Sequence, residues 1–122
     1  MDALRGRHIL ILDEQRAIAE LLAEMVQGFG AEVVGPAKDV AEAFDLIAHN
    51  QIDAAILDVS VGGKPTYALA EELSRRGTPF AFASGNKTPR SIKRFAPAAI
   101  ITKPYSAPHI LSVLGKLMEK AG

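Results

Sequence analysis

Short apolar runs alternate with amphipathic stretches from one end of this chain to the other. His8–Leu12 reads as a strand, and the stripe Ile18, Leu21, Leu22, Met25, Val26 and Phe29 that follows has helical spacing. Gly28 and Gly30 end that helix. Glu32–Val34 is a second short strand, closed by Gly35-Pro36, and Asp39 with Glu42 forms a capping box ahead of Phe44, Leu46 and Ile47. Ala54–Leu57 is apolar throughout, as a strand covered on both faces must be. Gly62-Gly63-Lys64-Pro65 reads as a loop, and Thr66 as the cap of a helix from Tyr67 to Arg76 that Gly77 ends. Phe80–Ala83 is the next strand, a short helix spans about Thr88 to Phe95 between Pro89 and Pro97, and Ala98–Ile101 is the last strand. Ser106 caps a final helix with the stripe Ile110, Leu111, Leu114, Leu117 and Met118.

Strand and helix in strict alternation, with short connections, predict an α/β fold: a doubly wound parallel sheet with right-handed crossovers. With 122 residues, 48% of them apolar, one core and a single domain over 1–122 are expected. Lysine plus arginine equals aspartate plus glutamate, at 14 each, so no net field favours nucleic acid or an anionic membrane. The absence of cysteine excludes disulfides and thiolate metal sites. No apolar run reaches the length of a signal peptide or a membrane span, which points to the cytoplasm.

Four strands end in polar side chains: Asp13-Glu14, Asp58, Ser84 and Lys103. Residues just past the carboxyl ends of parallel strands line one crevice, where ligands bind. Any one of them alone is an ordinary turn former or cap. Together they give three carboxylates, a hydroxyl and an ammonium, which suit a hard cation and a phosphoryl group. Asp58 is the candidate nucleophile, because carboxylates form aspartyl-phosphates. Lys103 and Ser84 would contact phosphoryl oxygens. His8, His49 and His109 match no metal spacing. Lys64 and Thr66 are separated by Pro65 and lack the first glycine of a phosphate loop. Lys87, Arg90, Lys93 and Arg94 form a basic cluster read as a solvated helix face. Tyr105, Ile100 and the exposed side of the last helix are a candidate protein-contact surface.

Leu12-Asp-Glu, Ile56-Leu-Asp-Val, Ala83-Ser-Gly and Ile101-Thr-Lys-Pro resemble the matching elements of bacterial response-regulator receiver domains, over essentially the whole chain. Val34-Gly-Pro-Ala37, Leu57-Asp-Val-Ser-Val-Gly-Gly63 and Phe82-Ala-Ser-Gly85 are similar to the FATGUY group of receivers, often single-domain proteins. The resemblance implies a flavodoxin-like five-stranded sheet of order 2-1-3-4-5. It implies a phosphoacceptor rather than an enzyme, at most catalysing its own phosphotransfer and dephosphorylation. Asp58 would take a phosphoryl group from a sensor histidine kinase, and Asp13, Glu14, Asp58 and the Ser60 backbone carbonyl would hold Mg²⁺. Ser84 and Lys103 would read out the phosphate and alter binding to a downstream protein or phosphotransfer partner.

Two positions depart from the receiver pattern. Glu14 stands where an aspartate is usual, and its extra methylene predicts weaker or water-mediated Mg²⁺ binding relative to Glu14→Asp. Ile100 stands where a switch aromatic is usual, an absence typical of the FATGUY group, which leaves Ser84 and the stretch from Gly85 to Phe95 to carry the signal. Glu14, Ser60 and Ile100 lend weight to the alternative, a pseudo-receiver that binds partners without phosphorylation. An aspartate-nucleophile phosphatase fits less well, since Asp58-Val59-Ser60 lacks the second acid and lies on the third strand.

Overall fold

A computed structural model describes residues 3–85, 95 and 99–121, with the side chains of the last two omitted. Strands β1 (His8–Leu12), β2 (Glu32–Ala37), β3 (Ala54–Asp58), β6 (Phe80–Ser84) and β7 (Ala99–Thr102) form one sheet, and every pairing in it is parallel. Its order is β2-β1-β3-β6-β7, with a separate two-residue hairpin of β4 (Ser60–Val61) and β5 (Lys64–Pro65). With the hairpin set aside, this is the expected 2-1-3-4-5 order. Helices α1 (Arg16–Gly28), α2 (Val40–His49) and α3 (Tyr67–Arg75) lie in the connections β1–β2, β2–β3 and β3–β6, and α4 (Ala107–Ala121) follows β7. The predicted helix over about 88–95 and the basic cluster of Lys87, Arg90, Lys93 and Arg94 lie outside the described residues, apart from Phe95.

The period of two along each strand divides the core. Ile9, Ile11, Ala54, Ile56, Ala81, Ala83 and Ile101 face Leu22, Val26, Ile110 and Leu114 of α1 and α4. Leu10, Leu12, Ala55, Leu57, Phe80 and Phe82 face Ala43, Ile47, Leu69 and Leu73 of α2 and α3. Because β1, β3 and β6 are buried on both faces, their sequences read as unbroken apolar runs. Ile100, with odd-numbered neighbours turned to the α4 side, falls on the other face of edge strand β7 and is 42% exposed.

Several boundaries differ from those predicted. Strand β2 does not stop at Gly35-Pro36 but passes through it to Ala37, with a cis Gly35–Pro36 bond and a register irregularity opposite Leu10–Leu12. Gly35 sits at φ +102°, and a Cβ there would lie 2.6 Å from the Ala37 nitrogen. The last strand, described over Ala99–Thr102, ends one residue later than expected, and Ala98 lies outside the described residues. Helix α3 ends at Arg75, with Arg76 as its cap; Gly77 follows at positive φ, and the Thr78 N–H returns to the Leu73 carbonyl. The Asp39 side chain accepts from the Glu42 N–H at 2.8 Å, while the Glu42 carboxylate accepts from the Lys38 N–H at 2.9 Å. Ser106 caps α4 as expected, accepting from the His109 N–H at 3.3 Å.

Candidate functional site

The sheet delivers its polar residues to one end because parallel strands all point the same way. Asp13 follows β1, where its N–H bonds the Ala37 carbonyl of the neighbouring strand at 3.0 Å. Asp58 ends β3, and Ser84 ends β6. Lys103 follows β7, its N–H donating to the Ser84 carbonyl at 2.8 Å, and the Lys103–Pro104 bond is cis. From there its side chain crosses the sheet edge. Lys103 Nζ lies 2.6 Å from Asp58 Oδ1 and 3.3 Å from Asp13 Oδ2. The other Asp13 oxygen accepts from the Gln15 N–H at 2.9 Å, at the start of α1.

These groups are withdrawn from solvent. Asp13 is 2% exposed, Asp58 7% and Ser84 6%. Burial pushes the Asp58 carboxyl up to about 6, and the neighbouring Asp13 charge adds to the rise; the Lys103 ammonium works against both. Burial alone would lower Lys103, but its contacts with Asp58 and Asp13 outweigh that and raise it. Tyr105 packs against the α4-side core, and its ring centre is 5.9 Å from Lys103 Nζ. Burial, followed by the charges of Asp58 and Asp13, raises its phenol.

Above the carboxylates lies an open cleft of about 570 Å³, lined by Glu14, Gln15, Asp58, Val59, Ser60, Pro65, Tyr67, Ala83, Ser84, Gly85 and Lys103. Glu14 does not join the carboxylate pair. Its Oε2 accepts from the Gly62 N–H of the β4–β5 hairpin at 3.0 Å. Consistent with this divergence, no three histidine, aspartate or glutamate side chains among the described residues are gathered to hold a metal. The oxygens present nonetheless suit a hard cation. Ser60 and Pro65 form a non-hydrogen-bonded pair beside the bond from the Thr66 N–H to the Val59 carbonyl, so the Ser60 carbonyl points away from β5.

A model of the response regulator receiver domain matches residues 9–114. The chain belongs to this family. Receivers are phosphoacceptor switch domains of two-component systems, not enzymes, so the phosphatase reading falls away. The transcriptional regulatory protein PdtaR of Mycobacterium tuberculosis is 29% identical over 117 residues, covering 93% of this chain and 57% of that protein. The sensory transduction protein LytR of Streptococcus agalactiae is 31% identical over 121 residues, covering 91% and 48% respectively. The chain thus spans about half the length of the curated relatives it matches. Among solved structures, SdrG of Sphingomonas melonis is 32% identical with a TM-score of 0.81, over 97% of this chain and 99% of that one. A CheY-like receiver domain from Methanospirillum hungatei shares the fold at a TM-score of 0.83 and 22% identity, over 95% and 96% of the two chains.

Within this receiver, sequence reasoning missed two residues beside Asp58. Thr66 was expected to cap α3, but its buried hydroxyl donates to the carbonyls of Asp58 at 2.5 Å and Val59 at 3.2 Å. It therefore holds the backbone on which the candidate phosphoacceptor sits. Tyr67, the first residue of α3, lines the cleft and packs on Phe95 (ring centres 5.5 Å apart) and Phe82 (6.2 Å). Their position was a usable signal: the helix that follows the Asp58 strand starts at the same sheet end. None of the described helices is long and apolar enough to cross a membrane.

Proposed function

We propose that this receiver accepts a phosphoryl group on Asp58 from a sensor histidine kinase and thereby changes its affinity for a partner protein. The observation that carries the reading is the 2.6 Å contact between Lys103 Nζ and Asp58 Oδ1 at the carboxyl end of the sheet. An ammonium held there lies within reach of any phosphoryl group attached to Asp58. With its carboxyl at about 6, Asp58 is mostly ionised at neutral pH and serves as nucleophile. One of its oxygens bonds to phosphorus as the bond from phosphorus to the donor imidazole breaks. Lys103 then shifts from the carboxylate to a phosphoryl oxygen, and the Ser84 hydroxyl donates to another. Mg²⁺ held by Asp13, Asp58 and the Ser60 carbonyl would offset the charge of the phosphoryl oxygens, with Glu14 at the rim of the site on the Gly62 N–H.

The fourth-strand run Phe82-Ala-Ser-Gly85 supports assignment to the FATGUY group, working as a single domain in the cytoplasm. In that group the switch lacks the usual aromatic, here Ile100. The contacts of Tyr67 with Phe82 and Phe95 support a route from the cleft into the stretch 85–95. On this reading Tyr67→Leu keeps phosphoryl uptake but blunts the change in amide exchange across 85–95 that phosphorylation produces.

The test of the whole reading is incubation with Mg²⁺ and acetyl phosphate, followed by intact-mass measurement. One phosphoryl group is expected on the wild type and none on Asp58→Asn. An unmodified wild type would leave the pseudo-receiver, a phosphorylation-independent interaction module, as the function.

A further inference from the structure

We infer that Glu14 is a positioning residue: its carboxylate latches the β4–β5 hairpin and so fixes the Ser60 carbonyl at the rim of the phosphoacceptor site. The inference rests on the receiver reading for its consequence, Mg²⁺ binding, though the latch itself stands on geometry alone. Gly62 and Gly63 form the hairpin tip at φ +62° and +75°, a turn that lets β4 and β5 pair tightly. A Cβ at either glycine would meet nothing within 4 Å, so the side of the tip on which side chains would project is open. At its base the hairpin is tied by the Thr66 N–H to the Val59 carbonyl at 3.0 Å and by buried Val61. Its tip is tied by the Gly62 N–H to Glu14 Oε2 at 3.0 Å, a bond spanning 48 residues.

Ser60 lies between those two ties. Ser60 and Pro65 are the non-hydrogen-bonded pair next to the Val59–Thr66 bond, so the Ser60 carbonyl points away from β5 and the hairpin sets its direction. This accounts for glutamate at position 14. An aspartate side chain is shorter by one carbon–carbon bond, about 1.5 Å, and from the same backbone position would fall short of Gly62. The residue type that departs from the usual pattern is the one with the reach that this hairpin needs.

The test compares Glu14→Gln with Glu14→Ala. Both lack the charge, but only glutamine retains a side-chain oxygen that can accept from Gly62, so their difference isolates the latch from electrostatics. In metal-free protein, NMR should show Gly62 amide exchange slow in wild type and Glu14→Gln and about tenfold faster in Glu14→Ala. Mg²⁺ titration by calorimetry should then give an affinity about threefold or more weaker for Glu14→Ala than for Glu14→Gln. Equal Gly62 exchange in the two variants would overturn the latch. Different exchange with equal Mg²⁺ affinity would overturn the positioning of Ser60. A wild type that takes up no phosphoryl group would count against the receiver reading, while the metal-free amide comparison would still decide the latch.

Discussion

The two ends of the central sheet each place an aspartate beside a cationic or imidazole group, half-buried at one end and buried at the other, and they treat it in opposite ways. At the amino end, Asp53 accepts from the His8 backbone N–H at 2.7 Å, the His8 ring at 3.1 Å and the Gln51 amide at 3.2 Å, with Arg7 4.0 Å away. Burial would raise its carboxyl, but these donors outweigh burial and lower it. At the carboxyl end, Asp58 has the Lys103 ammonium on one side but a second carboxylate, Asp13, close by, and its carboxyl rises to about 6. One aspartate is satisfied and serves the fold. The other is held in a charged form that the site disfavours, which is how reactive carboxylates are commonly prepared.

Breaking the functional end should have the largest effect. Asp58→Asn is expected to abolish phosphoryl uptake while making the metal-free protein more stable at pH 7, by about 1 kcal/mol after solvent screening. The sign follows from linkage. A carboxyl raised in the folded state binds a proton that the unfolded chain has already lost, so stability falls as pH rises from 3.8 to about 6. The gain in Asp58→Asn should therefore shrink as pH drops through that window, and urea titrations at pH 7 and below pH 4 measure it. A variant equally stable to wild type at both values would contradict the strain assigned to Asp58.

Lys103→Met removes the cation between the two carboxylates. The Asp58 midpoint, followed by carboxyl-carbon NMR, is expected to move above 6, and stability at pH 7 to drop by about 1–2 kcal/mol, since each carboxylate loses a charged partner. An unmoved midpoint would show that Lys103 does not govern Asp58.

The smallest effect sharpens the comparison from the other side. Asp53→Asn should cost about 1 kcal/mol by weakening its bonds to His8 and Gln51, yet leave phosphoryl uptake intact. Because the Asp53 carboxyl is lowered in the fold, its contribution is present above the unfolded value and is lost as pH falls through the folded one. The stability deficit of Asp53→Asn should accordingly vanish in acid, opposite to the trend for Asp58→Asn. A loss of phosphoryl uptake in Asp53→Asn would break the division between the two ends.

Much of this was legible from residue order. The strands around Ile11, Ile56 and Phe82 announced themselves because burial on both faces forces uninterrupted apolar runs, and Asp58 and Lys103 stood out as the polar residues that end such runs. The hairpin at Ser60–Pro65 was not legible: two-residue strands carry no periodicity, and Gly62-Gly63 reads equally well as open loop. Nor could Gly35-Pro36 be seen as strand interior, since both residues usually interrupt pairing. Thr66 misled for a related reason: it does stand at the N-cap position of α3, but its side chain makes no cap bond and its hydroxyl donates to the carbonyls of Asp58 and Val59.

By itself, then, the sequence determined the alternating architecture, the two-faced core and the set of groups that gather at one sheet end. These follow from local spacing and from the common direction of parallel strands. Only the tertiary structure decided which of those groups touch: that Lys103 bridges Asp13 and Asp58, that Glu14 turns away to Gly62, and that Tyr67 packs on Phe82 and Phe95. The partners lie tens of residues apart along the chain, and side-chain direction depends on strand order and turn geometry, which no local pattern encodes.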